Sequence, residues 1–173
     1  MNIFYVAFPD NHKNSFEGKR IEEILLSQKI RKGKNAPEFI VKDIYGNTIS
    51  LSQFRDKYTI INFWGTWCGP CIKEFTAIHE LRESHLDKNL EFIFMNLDKD
   101  TVKFKQALEK YDLTFGYHIS RNMEISKKYG VAFIPRVFLI SPDGIVLYTR
   151  KEENDTELEK LGLLLKELID NGS

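Results

Sequence analysis

The sequence predicts an α/β domain in which a mixed β-sheet is covered by helices on both faces, with a β-hairpin ahead of it. Three observations carry this reading. Between residues 58 and 129, short runs rich in β-branched and aromatic residues alternate with segments of helical apolar period. Two further apolar runs flank Ser141-Pro142-Asp143-Gly144, a hairpin turn sequence. The 2 cysteines of the 173-residue chain, Cys68 and Cys71, both stand where a strand pattern gives way to a helix pattern.

The elements follow in order. Ile3 to Phe8 is apolar but stops at Pro9-Asp10. Six residues cannot span a bilayer and no positive charge precedes them, which argues against a signal peptide. Met1 then begins either a native cytosolic chain or one trimmed of its export signal. From Phe16 to Gln28, Ile21, Ile24 and Leu25 recur at helical spacing and predict a helix packed on the core. Lys29-Ile30-Arg31-Lys32-Gly33-Lys34 reads as a solvated basic linker. Residues 1–33 are thus expected to be an appendage and 34–173 the main domain. Phe39 to Ile44 and Thr48 to Leu51 alternate around Tyr45-Gly46-Asn47, a hairpin. Tyr58 to Trp64 is apolar on both faces, as a buried central strand is. Gly69 to Leu86 reads as one helix, with Cys71, Phe75, Ile78 and Leu81 or Arg82 along one side. Leu90 to Leu97 is a strand, and Thr101 to Tyr111 a helix capped by Asp98 or Asp100. Phe115 to Ile119 is a short strand, and Asn122 to Tyr129 a short helix ended by Gly130. Arg136 to Ile140 and Ile145 to Thr149 form the terminal hairpin. Asn154 with Glu157 suggests an N-cap for a last helix carrying Leu158, Leu161, Leu164, Leu165, Leu168 and Ile169 on one face.

Charge excludes some partners. Lys and Arg number 25, as do Asp and Glu, so no global field favours nucleic acid or an anionic membrane. Both cysteines lie in Trp67-Cys68-Gly69-Pro70-Cys71, which leaves none for a structural disulfide framework.

The placing of that pair points to redox chemistry. Unpaired backbone N–H groups and the dipole at a helix start favour an anion, here the reactive thiolate of Cys68. Cys71 falls in the first turn, within reach of a disulfide, and Pro70 suits a position whose N–H has no helical partner. Other readings are weaker. Two cysteines can be ordinary buried side chains. A zinc site needs four ligands, and His79 does not make a finger spacing with the pair. A purely structural bridge across two residues restricts the unfolded chain little.

Phe63-Trp64-Gly65-Thr66-Trp67-Cys68-Gly69-Pro70-Cys71 resembles the active-site stretch of the thioredoxin superfamily, and Tyr129-Gly130-Val131-Ala132-Phe133-Ile134-Pro135 resembles its second motif. Gly33-Lys34-Asn35-Ala36-Pro37-Glu38-Phe39, Tyr45-Gly46-Asn47, Ser50 to Phe54, Asn62 and Glu74 are similar to the TlpA/ResA-like thiol–disulfide oxidoreductases, with a lead-in shared with the AhpC/TSA-related peroxiredoxins. Ile61 stands where the peroxiredoxin cysteine motif has proline, which disfavours peroxidase activity. The resemblance implies a thioredoxin-like three-layer sandwich with an N-terminal β-hairpin extension. It also implies a cis Ile134–Pro135 bond facing the cysteines. No cofactor beyond the Cys68–Cys71 disulfide is implied, and no metal.

Roles follow. Cys68, expected to be exposed, attacks, and Cys71 resolves the mixed disulfide. Glu74, one turn after Cys71 and beside an apolar stripe, is a candidate for the proton that Cys71 must lose. Otherwise it leans out to solvent or pairs with a lysine. Trp67, Gly69, Pro70, Ile134 and Pro135 are expected to line the substrate groove, where Ile134 can pair its backbone with an extended chain. Arg136 replaces the threonine usual in thioredoxin and is expected to bring positive charge near the groove. The Gly-Pro spacer matches thioredoxin, whose potential is about −270 mV, so the protein is expected to donate electrons. The family implies protein thiols and disulfides as partners, a membrane thiol donor, and an extracytoplasmic location. The alternatives are a cytosolic thioredoxin-type reductant or a binding module without turnover.

Overall fold

A computed structural model describes residues 15–18, 21, 25, 30–86 and 89–170. β1 (Ile40–Lys42) and β2 (Thr48–Ser50) form an antiparallel hairpin of their own. A 3-10 turn, Leu51–Phe54, leads from it to β3 (Tyr58–Trp64). After β3 come α1 (Gly69–Lys73) and α2 (Phe75–Glu83), then β4 (Leu90–Asn96) and α3 (Thr101–Lys110). The chain continues through β5 (Tyr117–Ile119), α4 (Met123–Lys128), β6 (Arg136–Ile140) and β7 (Val146–Thr149). It ends with α5 (Arg150–Glu153) and α6 (Glu159–Asp170). The main sheet has the order β5-β4-β3-β6-β7, with β3 at its centre, parallel to β4 and antiparallel to β6.

The alternation of β3 sends its side chains into two cores. Ile60 and Trp64 face Cys71, Phe75 and Ile78 of the helices after the cysteine pair, together with Leu161 and Leu165 of α6. Ile61 and Phe63 face Phe39 and Ile49 of the hairpin and Ile125 of α4. Burial on both sides explains why β3 reads as a continuous apolar run. Caps close the helices where side chains reach N–H groups. Asp100 accepts from Val102 and Lys103 ahead of α3, and Asn122 accepts from Ile125 ahead of α4. Of the two candidate caps, Asp100 does the work, and Asp98 is engaged elsewhere.

The structure corrects four expectations. The motif helix is two helices, joined at Glu74. The stretch expected as a solvated linker is exposed from Arg31 to Lys34, but its backbone is paired: Gly33 N–H donates to Val146 O, Val146 N–H to Lys34 O and, just beyond it, Ala36 N–H to Gly144 O, while Ile30 is buried in the second core. The edge of β7 would otherwise present unpaired backbone, and this segment covers it. Asn154 is no N-cap. It takes φ +49 as the left-handed C-cap of α5, a helix the sequence reading did not include, and asparagine tolerates that conformation. In the expected helix over residues 16–28, Phe16–Gly18, Ile21 and Leu25 are helical, but Phe16 and Ile21 are exposed rather than packed on the core; the rest of that segment lies outside the described residues.

His118 of β5 is buried and stacked on Phe94, with ring centroids 5.1 Å apart, and neither ring nitrogen meets the geometry of a hydrogen bond. Burial pushes its pKa down from 6.5 to about 4, against smaller upward effects from the backbone of Phe115, Asp43 and the backbone of Leu113. The unfolded chain therefore takes up this proton first. The contribution of His118 to stability is full above pH 6.5 and is lost as pH drops towards 4, by up to about 3 kcal/mol. Compared by urea unfolding at pH 7.5 and 4.5, His118→Phe should gain stability relative to the parent at the lower pH; a parent–variant gap equal at both values would remove His118 as a pH-sensitive group.

Candidate active site

Cys68 and Cys71 form a disulfide with an S–S length of 2.02 Å. Cys68 is the N-cap of α1, and its sulfur accepts the backbone N–H of Cys71 at 3.2 Å. Gly69 and Pro70 are exposed at the helix start. Cys68 itself is 5% exposed and Cys71 0%, which corrects the expectation of an open attacking cysteine. Bonded to Cys71, Cys68 packs into the first core with Trp64 and Phe75, although it remains the nearer of the two to solvent. Trp67 is 67% exposed beside it, whereas Trp64 is fully buried.

The approach to Cys68 is held by a network the sequence reading missed. Asp98, just beyond β4, accepts from Thr66 N–H at 2.8 Å, from Thr66 Oγ1 at 2.7 Å and from Asn96 Nδ2 at 2.7 Å. The parallel pairing of Trp64 with Asn96 brings these residues together from 32 positions apart.

Ile134–Pro135 is cis. Arg136, the next residue, is in register with Phe63, so the cis bond lies beside the exit of β3 that leads to Cys68. Ile134 is half-buried and touches both cores, and Phe133 is exposed. Arg136 is buried with its guanidinium 5.6 Å from the Phe138 ring centroid, and burial lowers its pKa. It is therefore not the open charge expected at the groove.

Glu74 sits at the joint of α1 and α2 and is buried. Its Oε1 accepts from Arg150 Nε at 2.5 Å, while Oε2 is buried with no hydrogen-bond partner. Burial pushes its pKa up from 4.5 to about 7; Arg150 opposes the rise, and Asp155 adds to it. Neither expected alternative holds, since the carboxyl points inward and pairs with an arginine. A surface groove of about 550 Å³ opens beside it, lined by Pro70, Lys73, Glu80, Arg150 and Glu157.

Comparison with known proteins accords with this geometry. The redoxin family model matches residues 31–165. The thiol-disulfide oxidoreductase ResA of Bacillus thuringiensis subsp. konkukian is 40% identical over 130 residues, covering 75% of each chain. The chain is a ResA-like member of the redoxin family. Among solved structures, a thiol-disulfide oxidoreductase from Bacteroides fragilis is 27% identical with TM-score 0.62, covering 67% of this chain and 89% of that one. A thiol:disulfide interchange protein from Bacteroides sp. shares the fold, with TM-score 0.70 at 21% identity over 82% of this chain and 92% of that one.

This ResA-like chain is a thiol–disulfide oxidoreductase of thioredoxin-like fold. Its sheet brings the sequence-predicted residues Cys68, Cys71, Glu74, Ile134 and Pro135 to one end, with Trp67, Gly69 and Pro70 at the surface there. Arg150 and Asp98 join them and were not foreseen. Asn62, beneath the motif on β3, is buried with both amide atoms unpartnered and cannot act as an acid or base at neutral pH. Among the described residues no three His, Cys, Asp or Glu side chains gather as a metal site, and no helix is long and apolar enough to cross a membrane.

Asp98→Ala would leave the Thr66 N–H and hydroxyl without their carboxylate. We expect a loss of about 2–3 kcal/mol in urea unfolding, together with slower disulfide exchange from a Cys68 whose approach has loosened. Unchanged stability would show that the network is dispensable.

Proposed function

We propose that the protein reduces disulfides in partner proteins outside the cytoplasm and is recharged by a membrane thiol donor. The observation that carries the reading is a disulfide at a helix start with a buried carboxyl three residues beyond it. Residues 34–173 are the catalytic domain in this reading, and 1–33 an appendage whose last residues dock on β7.

Cys68 is the attacking sulfur because it caps α1 and lies nearer to solvent. As a thiolate it retains the N–H of Cys71 as a donor, which favours the charged form. Its attack on a partner disulfide makes a mixed disulfide, which Cys71 resolves. Cys71 is fully buried and must lose a proton where no water reaches it, and Glu74 is the group on the same helical face able to take that proton. Trp67, Gly69, Pro70 and Ile134 offer an apolar, largely backbone-lined surface to the substrate, with Pro135 behind it. Such a surface reads little sequence, in keeping with a protein acting on several disulfides.

Reduction of insulin coupled to dithiothreitol tests this reading. Cys68→Ser should abolish turnover, and Cys71→Ser should accumulate a mixed disulfide that mass spectrometry detects. Glu74 accepts a proton only when ionised, so the parent rate should rise with pH through about 7. Glu74→Gln should flatten that rise and lower the rate by roughly 10²-fold. An active Cys68→Ser protein would overturn the proposal.

A further inference from the structure

We infer that Arg150 is a positioning residue of this exchange: it holds Oε1 of the Glu74 carboxylate and leaves Oε2 as the oxygen free to take a proton. The inference rests on the role proposed for Glu74 and goes one residue beyond it.

The geometry is built around the arginine. Arg150 opens α5 directly after Thr149, whose Oγ1 accepts the Glu152 N–H at 3.1 Å and caps the helix. The segment then folds back: Arg150 O accepts the N–H of Asp155 at 3.3 Å, and Arg150 Nη2 donates to Thr156 O at 3.4 Å. Held at both ends, the side chain meets Glu74 with only 19% of its surface exposed, against 2% for the glutamate. Its single bond to the carboxylate runs through Nε to Oε1, and Oε2 has no partner. A two-bonded fork would occupy both oxygens.

The surrounding charges make Arg150 decisive. Asp155 pushes towards the neutral acid, and the Tyr148 hydroxyl is committed to Asp155 at 2.9 Å rather than to Glu74. The groove beside it is also lined by Glu80 of α2, by Glu157 and Glu159, and by Lys73 of α1. Without a bonded cation, a carboxyl this deep stays protonated at neutral pH and cannot accept a proton. Arg150 keeps it ionisable.

The step balances as follows. The Cys68 thiolate attacks the partner disulfide, and the first partner sulfur leaves as a thiolate. Cys71 passes its proton to Glu74 Oε2 and attacks the Cys68 sulfur, and the second partner sulfur leaves as a thiolate. The pair has lost two electrons and the partner has gained two. The partner thiolates take protons from water, and Glu74 releases its own to the groove.

The test is the rate of disulfide exchange with insulin from pH 5.5 to 9 for the parent, Arg150→Met, Arg150→Lys, Glu74→Gln and the double variant Glu74→Gln/Arg150→Met. In Arg150→Met the inflection should move up by roughly 1–3 pH units, with the rate at the alkaline end approaching the parent's. Arg150→Lys should move it less, and the double variant should superimpose on Glu74→Gln. An inflection unmoved in Arg150→Met, yet lost in Glu74→Gln, would overturn this inference alone. An inflection retained in Glu74→Gln would overturn the role of Glu74. Should Arg150→Met fail to fold, a carbon-13 NMR titration of the Glu74 carboxyl in Arg150→Lys decides: an inflection matching the parent's would count against the inference, and one raised above it would support it.

Discussion

A carboxylate buried beside a disulfide is the constraint around which the rest of the site is arranged. Desolvating an unpaired charge costs several kcal/mol, so Glu74 needs either a cation or a proton, and it has an arginine on one oxygen only. Burial, opposed by that arginine, pushes its pKa up to about 7. The arginine comes from α5, which hangs from β7, and β7 is positioned through its hairpin with β6. Because β3 and β6 run antiparallel, and β6 and β7 do too, the exit of β3, the start of β6 and the exit of β7 lie at one end of the sheet. Cys68, Pro135 and Arg150 are delivered there from three strands. The parallel partner β4 delivers Asp98 to the same end.

In the proposed mechanism electron and proton chemistry lie within one helical turn of each other. Cys68 and Cys71 exchange electrons at the start of α1, and Glu74 lies one turn on, at the joint where α1 meets α2. Glu74 keeps a right-handed helical backbone at the joint, so it stays on the side of the helix that carries the buried Cys71. In the proposed mechanism the groove lined by Lys73, Glu74, Glu80 and Arg150 is where the Glu74 proton reaches solvent.

The sequence shows much of this because its signals are local. β3 is legible from its unbroken apolar run, the terminal hairpin from its turn residues, α4 from the Gly130 that ends it, and the cysteine pair from its strand-to-helix setting. What stayed hidden is long-range or conformational. Arg150 lies 76 residues from Glu74 and Asp98 lies 32 from Thr66, and no pattern in the chain links them. Asn154 and Glu157 carry a capping signature that the left-handed turn at Asn154 overrides. Lys29 to Lys34 looks solvated by charge alone, since pairing with β7 uses backbone rather than side chains. The burial of Cys68 comes with its packing in the core that holds Trp64 and Phe75, which the motif alone does not display.

The central claim, that Cys68–Cys71 is a working two-electron couple that runs towards donation, is tested most directly by its reduction potential at pH 7. The protein is equilibrated with dithiothreitol and glutathione buffers, and free thiols are trapped and counted by mass spectrometry. The account predicts one reversible two-electron transition, nearer to about −270 mV than to about −120 mV, values that mark reducing and oxidising dithiols. A pair that no buffer reduces, or one that titrates at the oxidising end, would contradict it.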